Sequence, residues 1–343
     1  MEPPIQYAKT SDGVSIAFAT LGQGTPPLVV MRGFLFDLRL EWQIPGLRRL
    51  YERWAEKRMV VRYDGRGFGL SERNITTLSL DTFVLDLAAV VDHLKLQRFA
   101  LSAISSAGPP AIAYAVAHPE RVSRLVLWNA YAKGADFWEA PRWKAYRAMR
   151  EADWQTYTET MSRLFLGSAD VAALIREGTT PEQEVHKAFM DATRGFDVTH
   201  LVPQVCCPTL ILHVSAMALT SLETSRALAS RIPGARLAIE GEMEAGAAAI
   251  DEFLSEGQEG DAPERQPAAP AGLQTILFTD VEGSTALTQR LGDAKARELL
   301  REHERIVREC LRDHSGSEVK TMGDGFMASF GSATRALECA IAM

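Results

Sequence analysis

The residues best placed to do chemistry lie near the far end of the 343-residue chain. The runs Phe278-Thr279-Asp280-Val281-Glu282-Gly283-Ser284-Thr285 and Val319-Lys320-Thr321-Met322-Gly323-Asp324-Gly325 each set one aspartate at the end of an apolar, β-like segment. Two carboxylates raised at neighbouring strand ends can share a pair of divalent cations. Such a pair, roughly 3.5–4 Å apart, clamps the attacking and leaving oxygens of an in-line displacement at phosphorus. Residues 281–285 read as the opening of a helix, where free N–H groups and the positive end of the helix dipole suit a polyphosphate. Gly283 has no Cβ to hold a phosphate off the backbone. Ser284 reads either as part of that cradle or as a plain N-cap. A helix cap at Asp280 and a hairpin turn at Asp324-Gly325 are the bland alternatives, but the two runs together favour metal.

A third run, Leu101-Ser102-Ala103-Ile104-Ser105-Ser106-Ala107-Gly108-Pro109, joins an apolar strand to a helix and offers Ser105 as a nucleophile. A serine hydroxyl is weakly nucleophilic until a histidine accepts its proton and a carboxylate orients that histidine. No histidine occurs between His213 and His303, and His213 itself falls inside a strand-like run. Glu240, Glu242 and Glu244 read as a solvated acidic loop. Ser105 is read as a small residue fitting a tight turn.

The elements that must position these groups are legible from composition and pattern. Hydrophobic residues make up 46% of the chain and charged residues 24%, as in an ordinary globular protein long enough for two domains. A net charge of −7 argues against a nucleic-acid partner, which needs clustered Lys and Arg. The four cysteines, with Cys206 and Cys207 adjacent, form neither a disulfide framework nor a metal-ligand spacing. No signal peptide and no apolar run of membrane-spanning length is visible, so a cytoplasmic location is expected.

Residues 255–272 are acidic and rich in Pro, Gly and Ala, without hydrophobic period, and read as a linker. Before it, in 1–254, apolar runs at 28–31, 59–63, 99–104, 124–128, 209–214 and 235–239 alternate with helical patterns such as 80–94 and 109–118. That alternation predicts a parallel sheet covered on both faces. Residues 131–200 break it with Trp, Tyr and charged residues at helical spacing, a helical lid over one end of the sheet. After the linker, 273–343 reads strand, helix, strand, turn, strand and the start of another helix. This order predicts the first half of a ferredoxin-like α+β sheet.

The N-terminal motifs resemble the α/β-hydrolase fold. The run around Ser105 is similar to its nucleophile elbow, with Ala103 and Ala107 where the family usually has glycine. Arg32-Gly33, Tyr63-Asp64-Gly65-Arg66-Gly67-Phe68-Gly69-Leu70-Ser71 and His118-Pro119-Glu120-Arg121-Val122 fit the same family. The resemblance places the triad acid after residues 210–213, where Val214-Ser215-Ala216-Met217 carries none. It places the histidine after the last strand, where 240–254 has none. The frame is expected to be catalytically degenerate, a sensory or packing module whose pocket takes an apolar small ligand.

The C-terminal motifs resemble the catalytic domain of class III adenylate and guanylate cyclases, which convert a nucleoside triphosphate to a 3′,5′-cyclic monophosphate and pyrophosphate. The resemblance implies that Asp280, Asp324 and the Val281 carbonyl hold two Mg²⁺ or Mn²⁺ ions. It implies that Gly283, Ser284 and Thr285 meet the triphosphate. Lys320 matches the purine-reading position, where a lysine donates to adenine N1 and a glutamate would select guanine, so ATP is the expected substrate. The family's transition-state asparagine and arginine come later in its domain, and homodimeric members build the site between two chains. This chain reads as truncated before them. The expected function is therefore adenylate cyclase in cyclic nucleotide signalling. The alternatives are an esterase- or lipase-like hydrolase using Ser105, or a non-catalytic regulatory protein.

Overall fold

The computed structural model describes residues 2–32, 37–75, 77–166, 183–217, 220–256, 275–279, 293–314, 316–322, 325–330 and 332–343. They divide into two compact units, Met1–Glu259 and Gly260–Met343. Residues 257–272 of the expected linker lie outside the described residues.

The first unit is built on an eight-stranded sheet. Its strands are β1 (Gln6–Lys9), β2 (Ser15–Leu21), β3 (Leu28–Met31), β4 (Val60–Tyr63), β5 (Phe99–Ile104), β6 (Val122–Trp128), β7 (Thr209–Val214) and β8 (Arg236–Glu240). They lie in the order β1-β2-β4-β3-β5-β6-β7-β8. β1 pairs antiparallel with β2, and β2 antiparallel with β4, while β4-β3-β5-β6-β7-β8 is parallel throughout. Successive strand side chains point to opposite faces, so each apolar run feeds two cores at once. Val29 and Met31 join one core with Leu87, Val90 and Ile112. Leu28 and Val30 join the other with Trp54, Ile250 and Phe253.

Helices α1 (Leu38–Gln43), α2 (Pro45–Ala55), α3 (Leu80–His93) and α4 (Gly108–Ala117) fall among the first six strands. α3 opens with a capping box in which Ser79 and Thr82 each accept from the other's backbone N–H. Between β6 and β7 come α5 (Gly134–Trp138), α6 (Pro141–Ala152), α7 (Trp154–Leu166) and α8 (Gln183–Arg194). This insertion has an aromatic core of its own, with Phe137, Trp138, Trp143 and Tyr157 buried together. α8 returns it to the sheet: Phe189 packs edge-on against Phe68 at 4.9 Å and Phe83 at 5.7 Å. α9 (Leu222–Arg231) and α10 (Met243–Ser255) complete the unit.

The second unit contains β9 (Thr275–Thr279), α11 (Asp293–Asp313), β10 (Ser317–Met322), β11 (Gly325–Phe330) and α12 (Ala333–Ala342). Its sheet has the order β10-β11-β9 and is antiparallel. Phe326, Ala328 and Phe330 alternate inward on β11 and meet Val307 and Leu311 of α11 and Ala336 and Cys339 of α12. Phe278, on β9, is 62% exposed. Among the described residues no helix is long and apolar enough to cross a membrane.

Candidate functional site

In the second unit the topology brings the flanks of the two aspartate motifs together. Thr279, the last residue of β9, pairs with Phe326 of β11. The Phe326 N–H donates to Thr279 Oγ1 at 3.2 Å. Gly325 in turn pairs with Met322, closing the β10–β11 hairpin. The residue before Asp280 and the residue after Asp324 therefore stand at the same end of one sheet. Asp280, Val281, Gly283, Ser284, Thr285 and Asp324 lie outside the described residues. Lys320 stands on β10 opposite Met327, just past a register irregularity. Among the described residues no group of three or more His, Cys, Asp or Glu is placed to hold a metal.

In the first unit Ser105 follows β5 with φ +53° and is 6% exposed. A positive φ in a residue with a Cβ is uncommon and strained. The turn is forced because the chain must pass at once from β5 into the short 3₁₀ turn Ser105–Ala107 and α4. Its expected catalytic partners are elsewhere or missing. His213 is buried in β7, where its Nδ1 lies 3.1 Å from Ser225 Oγ, and burial lowers its pKa. Asn129 follows β6, also at positive φ, and spends both ends of its amide on Val214. Its Nδ2 donates to the Val214 carbonyl at 3.1 Å, and the Val214 N–H donates to its Oδ1 at 2.7 Å. The positions after β7 form another short 3₁₀ turn, Ser215–Met217. Glu242 and Glu244 are exposed beyond β8.

The strand order reverses between β3 and β5, and in such sheets ligands bind outside the carboxyl ends of the strands at that point. A cavity of about 50 Å³ lies there. Met31 at the end of β3, Arg32 just after it, Asp64 after β4, Ser106 after β5, Phe83 and Phe189 line it.

Beneath it runs a buried ionic network that the sequence reading did not find. Glu41 of α1 meets Arg32 Nε at 2.5 Å and Arg62 Nε at 3.5 Å, and accepts from the Tyr51 hydroxyl at 2.9 Å. The Arg62 guanidinium lies 4.3 Å over the Tyr51 ring and donates to the Leu38 carbonyl. Asp64 accepts from the backbone N–H groups of Leu38 and Leu70, each at 2.9 Å. Gly69 makes the second bond possible, because a Cβ there would run into the Asp64 carboxylate. On the neighbouring loop Arg66 donates to buried Asp86 through Nε at 2.8 Å and grips Asp12 with both terminal nitrogens. The signal for Asn129 was its type, since asparagine tolerates positive φ. Ion pairs between residues far apart in sequence carry no periodic signal.

Burial pushes the Asp64 carboxyl up to about 8, against two backbone donors that hold it down. The folded protein thus keeps a proton that the unfolded chain releases above about pH 4. This contribution to stability is full below the unfolded pKa and is lost as pH rises towards 8. Burial holds His186 at about 3, so it is neutral in the folded state over the whole alkaline range. The urea midpoint of tryptophan fluorescence should therefore fall between about pH 6.5, where a free histidine has mostly lost its proton, and about pH 9. A flat or rising profile contradicts the assignment.

Residues 26–168 match the family described as alpha/beta hydrolase fold, and residues 267–343 match the adenylate and guanylate cyclase catalytic domain. The chain therefore carries one region similar to the alpha/beta hydrolase fold and a second similar to the adenylate and guanylate cyclase catalytic domain. Among relatives, the 3-oxoadipate enol-lactonase 2 of Acinetobacter baylyi is 28% identical over 136 residues, 40% of this chain and 48% of that protein. The adenylate cyclase of Podospora anserina is 46% identical over 69 residues, 20% of this chain and 3% of that protein. The chain thus spans about half of the first and a small part of the second. A hydrolase from Pseudomonas aeruginosa PA01 superposes with a TM-score of 0.61 at 22% identity, over 73% of this chain and 98% of its own. That likeness is one of fold.

Proposed function

We propose that the protein is a class III adenylate cyclase, forming 3′,5′-cyclic AMP and pyrophosphate from ATP, with a catalytically degenerate hydrolase-fold unit as its regulatory module. The observation that carries this reading is the pairing of Thr279 with Phe326, which sets the flanks of Asp280 and Asp324 side by side. Two carboxylates and a carbonyl are hard oxygen donors, a set that suits Mg²⁺ or Mn²⁺. Asp280, Asp324 and the Val281 carbonyl would hold two such ions, which when bound neutralise the triphosphate and favour ionisation of the ribose 3′-hydroxyl. Gly283, Ser284 and Thr285 bind phosphate oxygens through backbone N–H groups. Lys320 donates to adenine N1 and so favours ATP over GTP. The active form is a homodimer through this unit, in the cytoplasm, and a small ligand with an apolar body held in the cavity of the first unit alters its output. The test is cyclic AMP production from ATP with Mn²⁺ or Mg²⁺, on this chain and on one extended beyond Met343. No product from either chain sinks the reading.

One observation favours a second reading, an esterase- or lipase-like hydrolase: the positive φ of Ser105 suits a nucleophile on a strained strand-to-helix turn. The sequence has no histidine after β8 within the first unit, and His213 is engaged by Ser225. A fluorophosphonate probe is expected to leave Ser105 unlabelled. Labelling that disappears in Ser105→Ala would revive the hydrolase.

A further inference from the structure

We infer that the outer edge of β8 is a homodimer surface, on which β8 of a second copy pairs antiparallel about a two-fold axis at Ala238. This surface belongs to the first unit and does not depend on the cyclase reading of the second. An edge strand presents unpaired N–H and C=O groups, and folded proteins blunt such edges with lysine, proline or a bulge. The two edges of the eight-stranded sheet differ in this respect. β1 follows Pro3 and Pro4 and ends on Lys9. β8 reads Arg236-Leu237-Ala238-Ile239-Glu240, without lysine or proline, and runs along β7 without a register shift. Among the described residues no strand pairs with its other side. Ile239 is 48% exposed.

The sequence of β8 is complementary to itself in one register. Antiparallel pairing centred on Ala238 sets Arg236 opposite Glu240 of the second copy and Leu237 opposite Ile239 of the second copy. The two-fold axis repeats both pairs. A slip of one residue either way sets a charged side chain against an aliphatic one. Parallel pairing in register sets arginine against arginine and glutamate against glutamate, and like charges directly opposite are destabilising. Side chains alternate between the faces of a strand. Leu237 packs against the core that holds Leu228 and Ile232. Ile239 shares that face, so pairing would bring four aliphatic side chains together there. Arg236, Ala238 and Glu240 share the other face, where the Arg236 guanidinium lies 5.0 Å over the Phe253 ring.

Both charged residues have bonding capacity left. Arg236 donates to Glu256 through Nη1 at 2.8 Å and Nη2 at 2.6 Å, which leaves its Nε–H without a hydrogen bond among the described residues. Its side chain is still 53% exposed. Glu240 makes no ion pair or side-chain hydrogen bond with a described residue. A strand of five residues a side makes a small interface, so a Kd on the order of 10 μM is expected.

The experiment is disulfide capture in the full chain at about 100 μM, well above that Kd, with diamide as a mild oxidant. In Ala238→Cys the new residue lies directly opposite its copy, with Cβ atoms roughly 4.5–5.5 Å apart. In Ala235→Cys the two copies lie roughly 20 Å apart along the strands. Ala238→Cys is expected to form a linked dimer at least about tenfold faster than Ala235→Cys or the parent chain, whose own cysteines set the background. Adding Ile239→Lys, or Glu240→Lys to face Arg236, should slow capture by about threefold to tenfold while leaving far-ultraviolet circular dichroism unchanged. Equal capture through Ala238→Cys and Ala235→Cys overturns the inference, and so does capture through Ala238→Cys no faster than background. A dimer formed through the second unit alone gives one of these two results. Capture that ignores both lysines brings the cysteines together by another route and also overturns it.

Discussion

Alanine at Asp280 or at Asp324 is expected to abolish the proposed cyclic AMP formation, with a fall of at least about a hundredfold in kcat. The size follows from what a divalent ion contributes to such a displacement, which is several kcal/mol of charge stabilisation, at roughly tenfold in rate per 1.4 kcal/mol. The two variants should be equally damaging, because in the proposed site each would remove a ligand shared by both ions. Activity is measured with Mn²⁺ on whichever chain, as given or extended beyond Met343, turns over ATP. Mn²⁺ binding by calorimetry gives an independent readout, and it should weaken in step. A variant that keeps its metal and loses only turnover would show that the carboxylate acts otherwise. Lys320→Glu should shift preference from ATP towards GTP while leaving Mn²⁺ binding unchanged, since it exchanges a donor to the purine for an acceptor.

Arg66→Met is expected to cost the first unit about 3–5 kcal/mol at pH 8, the usual penalty for stripping one partner from a buried ion pair. Asp86 is fully buried and keeps only the Arg66 backbone N–H once the guanidinium is gone. Burial already pushes its pKa up to about 6, and without Arg66 it rises further. The loss should therefore shrink as pH falls and Asp86 takes up a proton. Urea unfolding at several pH values reads both effects. Adding Asp86→Leu should return much of the stability, because the uncompensated charge is then removed. A loss below about 1 kcal/mol would place this pair among exposed bridges of little consequence.

The parallel core of the first unit was legible because its strands are apolar on both faces. The expected runs 28–31, 99–104 and 209–214 coincide with β3, β5 and β7, and β4, β6 and β8 differ by one or two residues. β1 and β2 escaped because β1 buries only Ala8 and owes its place to antiparallel pairing. The motif 63–71 was legible as a mark of the fold and illegible as a machine part. Its charge network needs Glu41 from a helix and Asp86 from another, and nothing in local spacing announces them. The position of His213 is a different case: its burial within β7 followed from the apolar run around it.

The clasp of Asn129 on Val214 bears on how this molecule can change over evolutionary time. The amide ties the carboxyl ends of β6 and β7 and the parallel ladder ties the rest, so the described helices between them leave and re-enter strands already held together. Their length is then nearly irrelevant to the sheet, since closure entropy grows only with the logarithm of loop length. The insertion behaves as a cassette on a fixed handle, free to lengthen, shorten or be replaced without renegotiating the frame that carries it.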